Sequence, residues 1–174
     1  MRLNHKRFVV NLSTAGIYIA YAKETTPGAR PLTGYTRLTG AKSTPSFNPA
    51  PETLETTTLD ETEWKTYIDG LKDMGGALEF TFNLTQNLID EWDDLMDAYD
   101  EARNSDPALR LWFEIVIPGL SQALFFPGNP SEMGLPETSV NECLEITNYI
   151  TPTGAPETDD KPTDAWVNED NDSE

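Results

Sequence analysis

Alternation of apolar and polar side chains predicts that most of this chain forms β-strands. Residues 78–82 read Leu-Glu-Phe-Thr-Phe, so that every second side chain is large and apolar. Because a strand directs successive side chains to opposite faces, this pattern predicts one face in a core and one in water. Similar patterns predict one or two strands at 7–23 and further strands at 35–38, 110–117, 122–126 and 140–150. Pro118-Gly119 lies between two of these strands and predicts a β-hairpin.

One amphipathic helix is predicted over about residues 84–103. Apolar side chains recur there along one helical stripe, and acidic side chains occupy the opposite arc. The stripe consists of Leu84, Leu88, Trp92, Leu95, Met96 and Tyr99. Asn83, with Gln86 three residues later, indicates a capping box at the start, and Asp106-Pro107 indicates the end. A helix with a single apolar face is expected to lie on the surface of the β structure.

A long loop is predicted at about residues 40–63. Proline and glycine recur from residue 27 to residue 51 and exclude a helix there. Residues 52–59 are rich in threonine and poor in large apolar side chains, so a strand here would be exposed on at least one face. Two interpretations of this segment stay open: a solvated loop, or a segment that contacts another subunit.

Length and composition divide the chain into one domain and a tail. A chain of 174 residues, 37% of them hydrophobic, is long enough to bury a core. We expect a β domain over residues 1–154. Residues 155–174 contain eight acidic residues and one lysine, and we expect this acidic arm to be disordered unless it is bound.

The net charge of −18 is unevenly distributed. Residues 1–42 contain seven Lys or Arg and one Glu, whereas the rest of the chain is strongly acidic. An acidic surface repels nucleic acid phosphates and acidic lipids, so tight binding to nucleic acid or to membranes is not expected. No segment is long and apolar enough to span a bilayer. Unlike charges at the two ends favour head-to-tail stacking of identical copies.

The sequence offers little material for catalysis or metal binding. Cys143 is the only cysteine and His5 the only histidine, which excludes an intrachain disulfide and a zinc site made of four cysteines. The chain contains no nucleotide-binding, serine hydrolase or zinc protease motif. The acidic residues of the predicted helix could approach a cation from one side only, so a solvated face is the better interpretation. We therefore expect neither a cofactor nor an enzymatic activity.

Several short segments resemble the major tail protein family of long-tailed bacteriophages. They are residues 44–47 (Thr-Pro-Ser-Phe), 51–57 (Pro-Glu-Thr-Leu-Glu-Thr-Thr), 66–73 (Thr-Tyr-Ile-Asp-Gly-Leu-Lys-Asp), 78–82, 113–119 and 150–154 (Ile-Thr-Pro-Thr-Gly). The order of the predicted elements is also similar: a basic strand region, a long loop, a strand, one helix, a hairpin, a last strand and an acidic arm. The likeness covers roughly residues 15–154.

The resemblance implies a small β-sandwich or barrel flanked by one helix, similar to the inner-tube protein of type VI secretion systems. It implies hexameric rings that stack into the tail tube of the virion, after assembly in the host cytoplasm. The implied partners are further copies of the chain and other tail proteins, such as the tape measure, tail terminator and distal tail proteins. DNA is expected to pass through the tube without being held, because an acidic bore repels phosphate.

Three groups of residues are the candidates for these roles. The lumen-facing candidates lie on the predicted wet faces of strands: Glu79, Glu114 and Glu145. The candidates for ring stacking lie in or next to the long loop: Phe47, Glu52, Glu55, Asp60 and Trp64. In the acidic arm, Trp166 and Val167 are the candidate anchors.

Other protein classes fit parts of the sequence. Ala20-Tyr21-Ala22, after a basic start and an apolar stretch, satisfies the cleavage rule of a signal peptide, although the alternation at 16–22 favours a retained strand. A cleaved signal would fit a secreted carbohydrate-binding β-sandwich module. Another tail or neck protein, such as a tail terminator, would share the fold but stop at one ring. A hydrolytic enzyme is the least supported class, because its motifs are missing.

Overall fold

The structure is a computed structural model that describes residues 16–48, 52–72, 74–136, 138 and 143–161. The elements, in chain order, are β1 (Tyr18–Lys23), β2 (Thr36–Leu38), β3 (Ala41–Ser43), β4 (Thr53–Glu55), β5 (Tyr67–Asp69), β6 (Leu78–Asn83), α1 (Gln86–Asn104), β7 (Leu111–Val116), β8 (Gln122–Pro130), β9 (Glu145–Pro152) and β10 (Glu157–Asp160). The protein is mainly β with a single helix, which confirms the predicted fold class.

Eight strands form one sheet whose two edges are consecutive in the chain. The strand order is β2-β1-β7-β8-β9-β6-β3, and β10 also pairs with β8. β2 ends at Leu38 and β3 begins at Ala41, so only Thr39 and Gly40 connect the opposite edges of the sheet. Because two residues cannot span an open sheet of seven strands, the sheet curls into a half-barrel.

Gly40 makes this short connection possible. Its φ is +73°, in the left-handed region that glycine adopts without steric cost. A Cβ atom at this position would lie 3.1 Å from the carbonyl oxygen of Asn83, and the Asn83 N–H donates to the Gly40 carbonyl oxygen at 2.9 Å. The neighbouring Thr39 N–H donates to Oε2 of Glu91 at 2.7 Å. The connection is thus tied to β6 on one side and to α1 on the other.

The helix packs on the main hydrophobic core. Leu88, Trp92 and Leu95 are fully buried. The Trp92 ring meets the Phe82 ring edge-on with their centroids 5.8 Å apart, and its Nε1 donates to the carbonyl oxygen of Ser131 at 3.0 Å. The other members of the predicted stripe are half-buried against the same core: Leu84, Met96 and Tyr99. The predicted apolar face is therefore confirmed.

The helix begins at a different cap from the predicted one. Thr85 is the N-cap, and its Oγ1 accepts a hydrogen bond from the Leu88 N–H at 3.2 Å. The predicted cap, Asn83, is instead the last residue of β6 and pairs with Glu145 on β9. At the other end the helix stops at Asn104, immediately before the predicted stop.

The hairpin of β7 and β8 is present, but neither face of β7 is exposed to solvent. All six residues of β7 are buried, although the alternation predicted that every second one would face water. On the outer face of the sheet, Trp112, Val116 and Phe125 belong to a second apolar cluster that also contains Tyr35. The segment 24–35, which follows β1, supplies Tyr35 and covers this face, and that cover is the physical reason for the difference.

The last part of the sheet continues beyond the predicted domain end at residue 154. β9 pairs with β8 up to the partners Gly128 and Pro152, and β10 resumes the pairing with Phe125 opposite Glu157. From Gly128 to Phe125, β8 advances three residues. The chain opposite advances five, from Pro152 to Glu157, so it contains two extra residues that interrupt the regular pairing. The prediction of disorder is wrong for residues 157–160, because the nine residues of β8 offer a free edge with which this acidic segment pairs.

Candidate assembly surfaces

Residues 52–72 form a hairpin, here called the β4–β5 arm, which is a sheet of its own. Leu54 on β4 lies opposite Ile68 on β5, and the Thr56 N–H extends the pairing by donating to the carbonyl oxygen of Thr66 at 2.8 Å. All six strand residues of the arm are exposed. Within the segment 52–59, which was predicted as a loop in which any strand would be exposed, the structure has the short strand β4, and no other described part of the chain covers either face of it.

The β4–β5 arm exposes large apolar side chains. Leu54 and Ile68 are 56% and 55% exposed, and Trp64 is 80% exposed. Leu59, Tyr67 and Leu71 are exposed as well. An isolated two-stranded hairpin is only marginally stable in water, and a group of exposed apolar side chains marks a surface for contact with another molecule. The strand β5 was not predicted, because three residues are too few for alternation to identify a strand.

Four of the five residues predicted to act in ring stacking lie on this arm. All four are exposed: Glu52, Glu55, Asp60 and Trp64. Glu55 accepts a hydrogen bond from Nζ of Lys65 at 3.0 Å, across the hairpin. Hydrogen bonds from the Thr58 side chain and from the backbone hold the pKa of Asp60 below its ordinary value. The arm therefore presents fixed carboxylates beside its apolar side chains.

The fifth predicted residue, Phe47, belongs to the core instead. Its side chain is half-buried, and its ring lies 5.1 Å from the ring of Phe126, which is fully buried. The role of Phe47 in ring stacking stays a prediction, although its side chain also packs on the core of its own subunit. Its aromatic side chain gains more contact area from the core than a loop surface would provide.

Glu79 and Glu145, two of the three lumen-facing candidates, share the outer face of β6 and β9, here called the β6–β9 face. Glu79 lies opposite Tyr149, and Thr81 lies opposite Thr147 with their Oγ1 atoms 3.5 Å apart. Glu79, Thr147 and Tyr149 are exposed. Glu145 is half-buried and forms an ion pair with Lys42. The face is polar and open to solvent, and Glu79 has no ion-pair partner among the described residues.

Glu114, the third lumen-facing candidate, is buried. Its side chain lies under the second apolar cluster and is 0% exposed, so the prediction that it lies on a wet face is wrong. Burial raises the pKa of Glu114 to about 7, although the positive charges of Arg30 and Lys161 partly oppose this. Both of its carboxyl oxygens lack a hydrogen-bond partner within the described part of the chain.

Ion pairs within the chain neutralise part of the predicted positive end. Lys23 pairs with Glu101 at 2.7 Å, Arg30 pairs with Asp159, and Lys42 pairs with Glu145. Each pair joins a basic residue of the first 42 residues to an acidic residue of the later chain. The described part of the N-terminal region therefore has less uncompensated positive charge than its composition indicates.

An apolar groove of about 420 Å³ lies where the segment after β3 meets the turn between β7 and β8. Pro45 and Phe47 line it on one side, and Ile115, Ile117 and Leu120 on the other. The described residues that line it include no titratable side chain. The groove therefore offers shape and apolar contact, without a group for acid–base chemistry.

Within the described ranges, no three His, Cys, Asp or Glu side chains are grouped closely enough to hold a metal ion. The four carboxylates Asp90, Asp93, Asp94 and Asp97 are exposed, as predicted for a solvated helix face. No helix among the described residues has the length and apolarity needed to cross a membrane. Trp166 and Val167 lie outside the described residues.

No model of a known protein family matches the sequence, and no curated protein matches it.

Proposed function

We propose that this chain is the tail tube subunit of a long-tailed bacteriophage and polymerises as stacked hexameric rings. Its role is structural: the tube conducts genomic DNA during delivery and carries out no chemistry. The resemblance described above supplies the family. The exposed apolar surface of the β4–β5 arm is the observation that carries the proposal.

The β4–β5 arm supports assembly because one copy of the chain leaves it without cover. Leu54 and Ile68 form an apolar pair, and Trp64 lies near the end of the same hairpin. Transferring such side chains out of water contributes about 25 cal/mol per Å² of apolar surface buried. A neighbouring copy that covers the arm would gain this free energy and would also order a hairpin that is marginal alone. The arm is therefore the proposed contact between stacked rings.

The β6–β9 face is the proposed lining of the tube. It carries hydroxyl groups from Thr81 and Thr147 and the carboxylate of Glu79, for which the described residues supply no ion-pair partner. Such a surface repels phosphate or is neutral towards it, so DNA would slide past. Glu145 contributes less charge than its position indicates, because Lys42 neutralises it. Glu114 is excluded from the lining by its burial.

A carbohydrate-binding module has less support from the described tryptophans. Such modules hold sugar rings against exposed aromatic faces, yet Trp92 and Trp112 are buried, and Trp64 is the exposed one of the three that the structure describes. A tail terminator stays a second candidate, since it would share the fold. The two differ in whether rings stack, which an assembly experiment can separate.

Negative-stain electron microscopy of the concentrated protein tests the proposal. We expect hollow tubes of stacked rings for the natural sequence. The double variant Leu54→Glu/Ile68→Glu adds two negative charges to the proposed contact and is expected to give single rings or free subunits. Leu32→Glu is the matched control, because Leu32 is a 71% exposed leucine outside the arm, and it should still form tubes.

Three other outcomes would contradict the proposal. Single rings of the natural sequence that never stack would favour a tail terminator. Subunits that stay monomeric at every concentration and bind saccharides would favour the carbohydrate-binding module. Tubes formed equally well by the double variant would show that the arm does not join the rings.

A further inference from the structure

Glu114, Phe125 and Glu157 form a row across three neighbouring strands. Glu114 on β7 is the register partner of Phe125 on β8, and Phe125 is also the register partner of Glu157 on β10. Residues directly opposite each other in antiparallel strands point to the same face, with Cβ atoms about 5 Å apart. The two carboxyl groups therefore flank one aromatic ring on the outer face of the sheet.

Arg30 lies over the middle of this row. Its guanidinium carbon is 4.1 Å from the centroid of the Phe125 ring. Its Nε is 3.5 Å from Oε2 of Glu157, and it also forms an ion pair with Asp159. The Arg30 side chain is 11% exposed, whereas the side chains of Glu157 and Asp159 are 54% and 57% exposed, so water screens these ion pairs in part. Arg30 thus holds the acidic strand β10 against β8 by two carboxylates.

Glu114 is the carboxyl group on the other side of Arg30, and it has no hydrogen-bond partner among the described residues. Both of its oxygens are buried without a hydrogen bond from any described residue. Glu24, the other buried glutamate, differs because its carboxylate accepts four hydrogen bonds. A buried carboxylate without donors is much less stable when ionised than when protonated. The described arrangement therefore suits a neutral Glu114.

We propose that Arg30 is shared between Glu114 and strand β10, and that ionisation of Glu114 draws Arg30 away from Glu157 and Asp159 and releases β10 from β8. Two effects act together. The new charge on Glu114 attracts the guanidinium group, and it also repels the carboxylates of β10 across the Phe125 ring. Release leaves the Gln122–Phe125 edge of β8 unpaired, and an unpaired strand edge can pair with another chain.

Two tyrosines and several basic side chains lie around Glu114. Tyr18 on β1 has its pKa raised to about 12, mainly by burial, and the Arg37 guanidinium of β2 lies 5.1 Å from its ring centroid. Burial also raises the pKa of Tyr35. Lys161, just beyond β10, contributes a positive charge. Glu114, whose pKa is about 7, therefore changes charge between pH 5 and 8, whereas both tyrosines stay neutral there.

The strand β10 is well suited to release. All four of its residues are exposed, so its departure uncovers no apolar side chain of its own. It is attached to β9 through the irregular segment 153–156, which carries the two extra residues. Within the described part of the chain, the ion pairs that join β10 to other elements are those with Arg30. The inference concerns this strand alone and does not depend on the proposed role in a tail tube.

Hydrogen exchange of the full chain between pH 5 and 8.5, corrected for the intrinsic exchange rate, tests the proposal. The opening of β10, read from backbone amides of residues 157–161, should increase as the pH rises and level off above about 7. The increase should be at most about tenfold per pH unit, because a single proton is released. Amides of β6 report global unfolding, and the opening of β10 should have a lower free energy than that of β6 at every pH, which separates release of the strand from unfolding of the whole chain.

Three variants make the test specific. Glu114→Gln stays neutral at every pH, so β10 should remain protected throughout. Glu79→Gln, the matched control at an exposed glutamate, should keep the pH dependence of the natural sequence. Asp159→Asn weakens the Arg30 contact at an exposed position and should open β10 even at pH 5.5. A flat profile for the natural sequence, or an unchanged profile for Glu114→Gln, would overturn the proposal.

Discussion

Arg110 donates two hydrogen bonds to the carboxylate of Glu24, from its backbone N–H to Oε2 at 3.1 Å and from its guanidinium Nε to Oε1 at 2.9 Å. Oε1 also accepts from Nε1 of Trp112 at 2.8 Å, and Oε2 accepts from the Gly28 N–H at 3.2 Å. Glu24 is 1% exposed and directly follows β1. One buried carboxylate thereby fixes the start of the segment 24–35 to β7, and that segment covers the second apolar cluster.

Glu24→Gln is expected to lower the free energy of unfolding by about 2–4 kcal/mol, because it leaves buried donors without a charged acceptor. Urea unfolding measures the change. The matched control is Glu101→Gln, which removes the exposed ion pair with Lys23 and should cost less than about 1 kcal/mol. Equal losses for the two variants would contradict the structural role assigned to Glu24.

Glu24 also predicts a loss of stability in acid. Burial alone would raise its pKa, but the hydrogen bonds from Trp112, Gly28 and Arg110 outweigh burial and lower it. A carboxyl group with a lowered pKa stabilises the fold above its unfolded value of 4.5, and this contribution is lost as the pH falls through the folded value. The stability of Glu24→Gln, compared with that of the natural sequence, should therefore improve as the pH is lowered below 4.5.

Glu114 predicts the opposite pH dependence. Its pKa is about 7 in the folded chain and 4.5 when exposed. The contribution of Glu114 to the free energy of unfolding therefore decreases as the pH rises from 4.5 to 7 and does not change above pH 7. This difference corresponds to about 3 kcal/mol. Glu114→Gln should match the natural sequence near pH 4.5 and exceed it in stability at pH 8, as measured by urea unfolding at both values. An equal difference at the two pH values would refute the assignment.

Gly40→Ala is expected to destabilise the fold by about 1–2 kcal/mol, because alanine would have to adopt a positive φ beside the Asn83 carbonyl oxygen. Gly34→Ala separates strain from crowding, since Gly34 has a φ of +82° with no atom within 4 Å of an added Cβ. Thermal unfolding of both variants should show the larger decrease for Gly40→Ala. Similar decreases in the unfolding temperature would mean that the close contact between residue 40 and the Asn83 carbonyl oxygen adds no destabilisation to that of the positive φ.

Trp64 should report on assembly through its fluorescence. The difference between the spectra of the natural sequence and of Trp64→Phe isolates its emission. In free subunits this emission should be quenched readily by iodide, because the side chain is 80% exposed. In assembled tubes the quenching should fall several-fold as a neighbouring copy covers the arm. Unchanged quenching after assembly would show that Trp64 lies outside the contact.

The elements that the sequence identified well are those whose signal is local. The alternation at 78–82, the stripe of the helix and the turn at Pro118-Gly119 depend on residues a few positions apart, and the structure contains the corresponding strand, helix and hairpin. The shortest strands were harder to find. β3 and β5 have three residues each, which is too few for a period of two to stand out.

Among the candidate site residues, too, those with a local signal in the sequence were placed correctly and those without one were not. The exposure of Glu52, Glu55, Asp60 and Trp64 followed from a composition that offers no core, and the structure agrees. Glu114 could not be placed, because alternation assigns residues to two faces but does not say what covers each face. The cover is the segment 24–35, which is rich in polar residues, proline and glycine and gives no local sign that it packs on a sheet.

Local sequence patterns predicted that the chain is mainly β, that one amphipathic helix lies on that structure, and that residues 52–59 are exposed. These properties depend on side-chain periodicity and on the backbone limits of proline and glycine. Three features are visible only in the tertiary structure. The strands β2 and β3 form opposite edges of one curled sheet, and β10 completes the pairing of β8. Glu114 is buried between its register partners Phe125 and Ala20. Each depends on segments far apart in the chain, whose pairing is selected by the free energy of the whole packed sheet.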